Sequence, residues 1–189
     1  MGSLSTSQVD RLGKQTFLSR SPAETKKIAA SLARRLLRRG PTRLVFLASL
    51  KQERSGNESN RVGRRATVLA LVGDLGAGKT TFIQGFARGL GIKHHITSPT
   101  FVIFRNYPIP RHKLTVNSYK FFYHIDAYRI RKISELAQLG FKKILAEPNN
   151  IVLVEWAENI ERALPRNTIS ITFSHGKKRS ERKIEIRQM

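Results

Sequence analysis

Gly73-Asp74-Leu75-Gly76-Ala77-Gly78-Lys79-Thr80 is the stretch whose reading decides the fold. It fits G-x-x-x-x-G-K-[ST], the phosphate-binding loop, or P-loop. Glycines let a backbone wrap closely around a phosphate chain and turn several N–H groups inward. The backbone from Asp74 through Leu75, Gly76, Ala77 and Gly78 would form the cradle. Lys79 would reach the outer phosphates, and Thr80 would place its hydroxyl on Mg²⁺. A helix opening here adds the positive end of its dipole.

The flanks agree with that reading. Ala66-Thr67-Val68-Leu69-Ala70-Leu71-Val72 is a nearly continuous apolar run, the pattern of a buried parallel strand. After the loop, Phe82, Ile83, Phe86 and Leu90 recur on one helical face, and Gly91 supplies a stop. The expected fold is therefore α/β: a P-loop NTPase-like three-layer sandwich around a central, mostly parallel sheet with antiparallel edge strands.

Upstream, residues 1–15 are polar and read as a flexible N-terminus, and Gln15–Ser19 reads as a short strand. Ser21, Pro22 and Glu24 form a helix start with a capping box, and the helix runs to about Arg39, ended by Gly40-Pro41. Residues 41–65 read as a basic insertion, with Arg43–Leu50 as an edge strand and the polar stretch ending in Arg61, Arg64 and Arg65 as a mobile arm. Downstream, strands are expected over Phe101–Tyr107, Tyr119–Asp126 and Ile151–Trp156. One helix is expected over Ile133–Leu145 and a short one over Glu158–Ala163. Thr168–Phe173 and Arg182–Arg187 alternate every second residue and predict an antiparallel hairpin. The whole chain, 1–189, reads as one P-loop domain.

Composition narrows the partners. The chain has 35 Lys+Arg against 13 Asp+Glu, a net charge of +22, which favours polyanions such as ATP or tRNA. Residues 1–66 hold 15 basic and 4 acidic residues against 20 and 9 in the rest, so the first third is about twice as basic per residue. There is no cysteine, so disulfides and thiolate metal sites are excluded, in keeping with a cytoplasmic location. No apolar run approaches a membrane span, and no membrane partner is expected. The adjacent His94 and His95 lack ligand spacing and read as solvated loop residues.

Two carboxylates, Asp126 and Glu155, stand at the ends of apolar strands, where ligands of open α/β sheets lie. One would hold Mg²⁺ directly or through water; the other could position a water for attack on the γ-phosphate. Ser98 and Thr100, around Pro99, could sense the γ-phosphate as a switch loop does. Trp156, the single tryptophan, would pack under the site or meet a partner. No N-K-x-D motif occurs, and Asp126-Ala127-Tyr128-Arg129 is not D-x-x-G, which argues for ATP over GTP. Two rivals fit the P-loop alone: a small-molecule kinase with Arg129, Arg131 and Lys132 as a lid, and a nucleotide-regulated RNA-binding protein without hydrolysis.

Gly73–Thr81, Ser98-Pro99-Thr100-Phe101, His124–Arg129, Leu139-Gly140 and Val154-Glu155-Trp156 occur in an order and spacing that resemble the TsaE (YjeE) family. The resemblance covers about residues 15–40 and 66–189. It implies a bacterial P-loop ATPase, weak when isolated, needed to make threonylcarbamoyladenosine beside the tRNA anticodon. Such proteins bind a TsaD–TsaB pair and are thought to reset that complex through ATP hydrolysis; they do not transfer the threonylcarbamoyl group. By position, the resemblance makes Lys79 and Thr80 the phosphate and Mg²⁺ residues, with Thr81 beside them. Asp126 becomes the Walker-B-like acid and Glu155 a second metal-side acid, followed by Trp156. Residues 41–65 depart from the family pattern. Their charge suggests an arm that contacts tRNA or the TsaD-like partner.

Overall fold

A computed structural model describes residues 8–9, 14–49, 65–99, 103–110 and 118–188. Eight strands form one sheet: β1 (Gln8–Val9), β2 (Gln15–Ser19), β3 (Thr67–Val72), β4 (Phe104–Pro108), β5 (Phe121–Asp126), β6 (Asn150–Glu155), β7 (Ile169–His175) and β8 (Arg182–Gln188). Their spatial order is β1-β2-β8-β7-β3-β6-β5-β4. The centre, β7-β3-β6-β5, is parallel; on one side β8, β2 and β1, and on the other β4, each pair antiparallel with the strand before. The fold expected from the P-loop and its flanks is the one observed.

Period-two alternation sends neighbouring strand residues to opposite faces. On β3, Leu69 and Leu71 join one core and Val68 and Ala70 the other; on β6, Ile151 and Leu153 oppose Val152 and Val154. The first core is closed by helices α1 (Pro22–Ser49) and α2 (Lys79–Gly89). The second is closed by α3 (Ile133–Gln138), α4 (Phe141–Ala146) and a 3-10 helix over Ala157–Ala163. These are the three layers. The second layer covers only the middle of the sheet, because Thr172 and Ser174 of β7 give that face polar, solvated residues. Phe82, Ile83 and Phe86 of α2 are fully buried, each worth about 1.5–3 kcal/mol by area.

Local signals explain most boundaries. The Ser21 hydroxyl accepts the Glu24 N–H at 3.2 Å, while the Glu24 carboxylate accepts the Arg20 N–H at 2.7 Å, one residue upstream of an ordinary capping box. At the end of the sheet away from the P-loop, the buried Tyr119 hydroxyl and Thr67 Oγ1 lie 2.6 Å apart, and burial pushes the Tyr119 phenol up to about 12.

Two expectations need correction. Residues 43–49 are helical, not an edge strand: Gly40 takes φ 64°, ψ 171°, breaking the helix, and a second helical segment resumes at Pro41. The first helix thus ends at Gly40 as expected, and Pro41, well tolerated at a first helical position, opens a second one. The arm expected beyond, at 50–64, lies outside the described residues. The helix expected over Ile133–Leu145 is two helices, because Gly140 adopts φ 68° between them.

Candidate nucleotide-binding site

β3 ends at Val72 and the chain turns through the P-loop into α2. Gly73 has φ 140°, and a Cβ there would lie 2.4 Å from the Phe173 carbonyl oxygen of β7, so only glycine fits. α2 starts behind Gly78 with no side-chain cap, leaving its first N–H groups for an anion. Lys79 is almost fully buried. Its ammonium donates to the carbonyls of Gly73 and Asp74, the latter at 2.9 Å, and sits 3.7 Å from the centroid of the Trp156 ring. Burial lowers the Lys79 pKa, and the nearby Glu155, Glu158, Asp74 and Asp126 oppose that shift. A phosphate oxygen would be a stronger partner for this cation than two neutral carbonyls and a π face.

β5 and β6 are parallel neighbours, and their register sets Asp126 beside Glu155. Alternation points both acids to the face that carries Phe122, Ile151 and Leu153, which is the face α2 covers. Both are buried, at 5% and 3% exposure, so neither is merely a solvated strand end. They have different partners. The Thr80 hydroxyl donates to Glu155 at 2.9 Å from Oε2 and 3.2 Å from Oε1. Asp126 accepts the Ser98 hydroxyl at 2.6 Å and the Tyr128 N–H at 2.9 Å.

The donor set suits a hard cation: one hydroxyl and two carboxylates, all oxygen. Among the described residues no group of three or more His, Cys, Asp or Glu could hold a metal. Mg²⁺ commonly binds through one or two carboxylates plus substrate phosphates, so Thr80, Glu155 and Asp126 fit that pattern.

Trp156 follows Glu155 with φ 57°, a left-handed conformation that costs a bulky residue about 1–3 kcal/mol. This turn brings its indole over Lys79 and within 5.0 Å of the Tyr128 ring. Asp74, Leu75 and Gly76 are exposed, with Leu75 at 82%; Ala77 is buried, and Thr81 is half-buried beside Thr80. Ser98 joins the site through Asp126. Thr100 lies outside the described residues. His94 and His95 are exposed, as expected, and line an open hollow at the β4 edge.

The family model described as "Threonylcarbamoyl adenosine biosynthesis protein TsaE" matches residues 19–184. The chain belongs to the TsaE family. It is 43% identical over 106 residues to a Bacillus subtilis protein named tRNA threonylcarbamoyladenosine biosynthesis protein TsaE, covering 56% of this chain and 60% of that protein. A Treponema pallidum protein of the same name is 32% identical over 131 residues, covering 69% of this chain and 90% of the relative. Among solved structures, Bacillus subtilis YdiB superposes with a TM-score of 0.61 at 28% identity, covering 93% of this chain and 85% of that one.

Three contacts of this TsaE-family site involve residues to which the motifs assign no role, although His124 and Tyr128 lie within the stretch His124–Arg129. His124 on β5 is fully buried, with Nε2 2.8 Å from Glu155 Oε1. Its signal was a polar residue inside the apolar run Phe121–Asp126, two positions before the strand-end acid. Arg182, opening β8, donates to the Gly76 carbonyl of the P-loop at 3.0 and 3.3 Å and so braces the loop tip. No local pattern marks it, because the partners lie 106 residues apart. Tyr128 reaches the site through its backbone N–H and its ring.

Proposed function

We propose that this chain is an ATP-binding, Mg²⁺-dependent ATP-hydrolysing subunit of the machinery that makes threonylcarbamoyladenosine in tRNA. In this reading it drives turnover of a complex of TsaD-like and TsaB-like proteins, with tRNA bound in that complex, in the cytoplasm, and residues 1–189 act as one domain. The observation that carries the ATPase half is the Thr80 hydroxyl held on the buried Glu155 carboxylate next to a P-loop lysine. The modification pathway is supported by family membership and by the names of the relatives. Among the described residues no helix is long and apolar enough to cross a membrane.

The residues divide the work as follows. The P-loop backbone from Asp74 to Gly78 and the open start of α2 bind phosphates. Lys79 leaves its carbonyl partners and the Trp156 face for phosphate oxygens, a charge-assisted contact of the strong kind. Thr80, Glu155 and Asp126 would hold Mg²⁺, which supplies charge neutralisation on the phosphate oxygens. Ser98, bound to Asp126, and Thr100 two positions on would report the γ-phosphate.

The test is ATP turnover by the full chain, alone and with TsaD-like and TsaB-like partners plus tRNA. Feeble turnover alone that rises with the partners, and is abolished by Lys79→Ala, is the expected result. Nucleotide-dependent phosphorylation of a small molecule would favour a kinase. Tight, salt-sensitive RNA binding with no hydrolysis would favour a regulated RNA-binding protein.

A further inference from the structure

We infer that His124 is the positioning residue for Glu155, holding one carboxylate oxygen so that the other stays presented to Thr80 and to a divalent cation. This rests on the reading of Glu155 as a metal-side acid.

The argument starts with donor and acceptor counting. An ionised carboxylate only accepts hydrogen bonds. Glu155 is buried, so water does little to satisfy it. Its hydrogen-bond donors among the described residues are the Thr80 hydroxyl, closer to Oε2 at 2.9 Å, and His124 Nε2, on Oε1 at 2.8 Å. The His124 proton on this bond must therefore sit on Nε2. The other ring nitrogen, Nδ1, is buried with no hydrogen-bond partner. An unsatisfied buried polar atom costs about 1–3 kcal/mol. An apolar side chain at this strand position would avoid that cost, as Phe122 does two residues earlier on the same face. The imidazole thus carries a stability penalty, and its one hydrogen bond goes to Glu155.

The second point concerns what happens when Thr80 turns to a cation. A hydroxyl has one proton and two lone pairs, so Thr80 can give a lone pair to the cation while its proton stays on Glu155 Oε2, leaving Oε1 to be held by another donor. No Lys or Arg makes a salt bridge to Glu155 among the described residues; the His124 ring is its close partner there. Lys79 is engaged with the Gly73 and Asp74 carbonyls. The His124 bond fixes Oε1, and with it the Glu155 rotamer that keeps Oε2 towards Thr80. Groups that orient metal-binding carboxylates in this way typically change metal affinity by about 10–100-fold when removed.

The test compares His124→Phe, which removes the donor and keeps a ring, with His124→Gln, whose amide N–H can replace Nε2–H. Binding of ATP is followed by Trp156 fluorescence, first in EDTA and then across a MgCl₂ titration, with thermal unfolding as the folding control. Expected for His124→Phe is an unfolding temperature equal to or above wild type, unchanged ATP affinity in EDTA, and a Mg²⁺ midpoint raised about tenfold or more. His124→Gln should recover most of that shift; His124→Leu serves if the phenyl ring prevents folding. A midpoint within twofold of wild type in His124→Phe, or equal shifts in the Phe and Gln variants, overturns the inference. A wild-type chain that binds ATP with no Mg²⁺ dependence overturns it as well, together with the function on which it rests. Wild-type Mg²⁺ dependence with an unmoved His124→Phe midpoint removes the inference alone.

Discussion

Replacing Gly85 by alanine sets two effects of opposite sign against each other. Gly85 lies inside α2, where Ala is favoured over Gly by about 1 kcal/mol. The helix surface argument thus predicts stabilisation. Packing predicts the reverse. A Cβ on Gly85 would lie 2.4 Å from Lys26 Cα, 2.5 Å from the Lys26 carbonyl oxygen and 2.8 Å from its carbonyl carbon. Ordinary contact between carbons needs about 3.5–4.0 Å, so α1 and α2 would have to part by about 1 Å. The obstacle is backbone, which cannot rotate aside as a side chain can. Overpacking costs typically about 1–3 kcal/mol and more where nothing yields, so the clash outweighs propensity and Gly85→Ala should destabilise by about 2 kcal/mol net. For a chain of this size that lowers the melting temperature by about 4–8 °C. Urea unfolding should show a lower midpoint with an unchanged slope, since the surface exposed on unfolding stays the same. Gly89 meets Ala30 Cα, the Ala30 carbonyl oxygen and Ala33 Cβ at 2.7 Å each, so Gly89→Ala should behave alike. Because α2 also carries Lys79 and Thr80, both variants should bind ATP more weakly. A Gly85→Ala protein as stable as wild type, or more so, would refute the close α1–α2 approach.

Other outcomes follow from the site and the sheet edge. Adding ATP should change the emission of Trp156, the single tryptophan, as Lys79 leaves its ring; Lys79→Ala should abolish the ATP-dependent part, and an unchanged response in that variant would show the cation is not the reporter. Glu155→Ala is expected to slow hydrolysis more than it weakens ATP binding, measured by single-turnover kinetics beside a binding titration; an equal loss of both would make Glu155 structural. Lys14 and Lys183 hydrogen-bond Glu185 at the β2–β8 edge and hold its pKa below the usual carboxylate range. A depressed carboxylate stabilises the fold above its unfolded pKa and loses that contribution as pH falls through its folded pKa. Glu185→Gln should therefore cost less than about 1 kcal/mol at pH 7, nothing well below pH 4, and little in high salt.

Much of the site was legible because its parts are local. The P-loop is eight consecutive residues, and its strand and helix flanks carry their own periodicities. Asp126 and Glu155 were visible as acids closing apolar runs. The β7–β8 hairpin was visible in alternation. Errors fell where one residue's backbone conformation chose between outcomes. Gly140 takes positive φ, so the helix expected over Ile133–Leu145 is two, and beyond the Gly40 break 43–49 is helix where its apolar run also suited a strand.

The sequence by itself determined the phosphate loop, the parallel centre that presents it and the family to which the chain belongs, since each of these is encoded within a single strand–turn–helix unit or a short motif. Only the tertiary structure decided which acid meets Thr80, that Lys79 rests on Trp156, that His124 secures Glu155, that Arg182 braces Gly76 and that Gly85 and Gly89 admit α1. Those contacts join residues as far as 106 positions apart. The register of β5 on β6 and the approach of α2 to the sheet bring them together, and neither is a property of any local stretch.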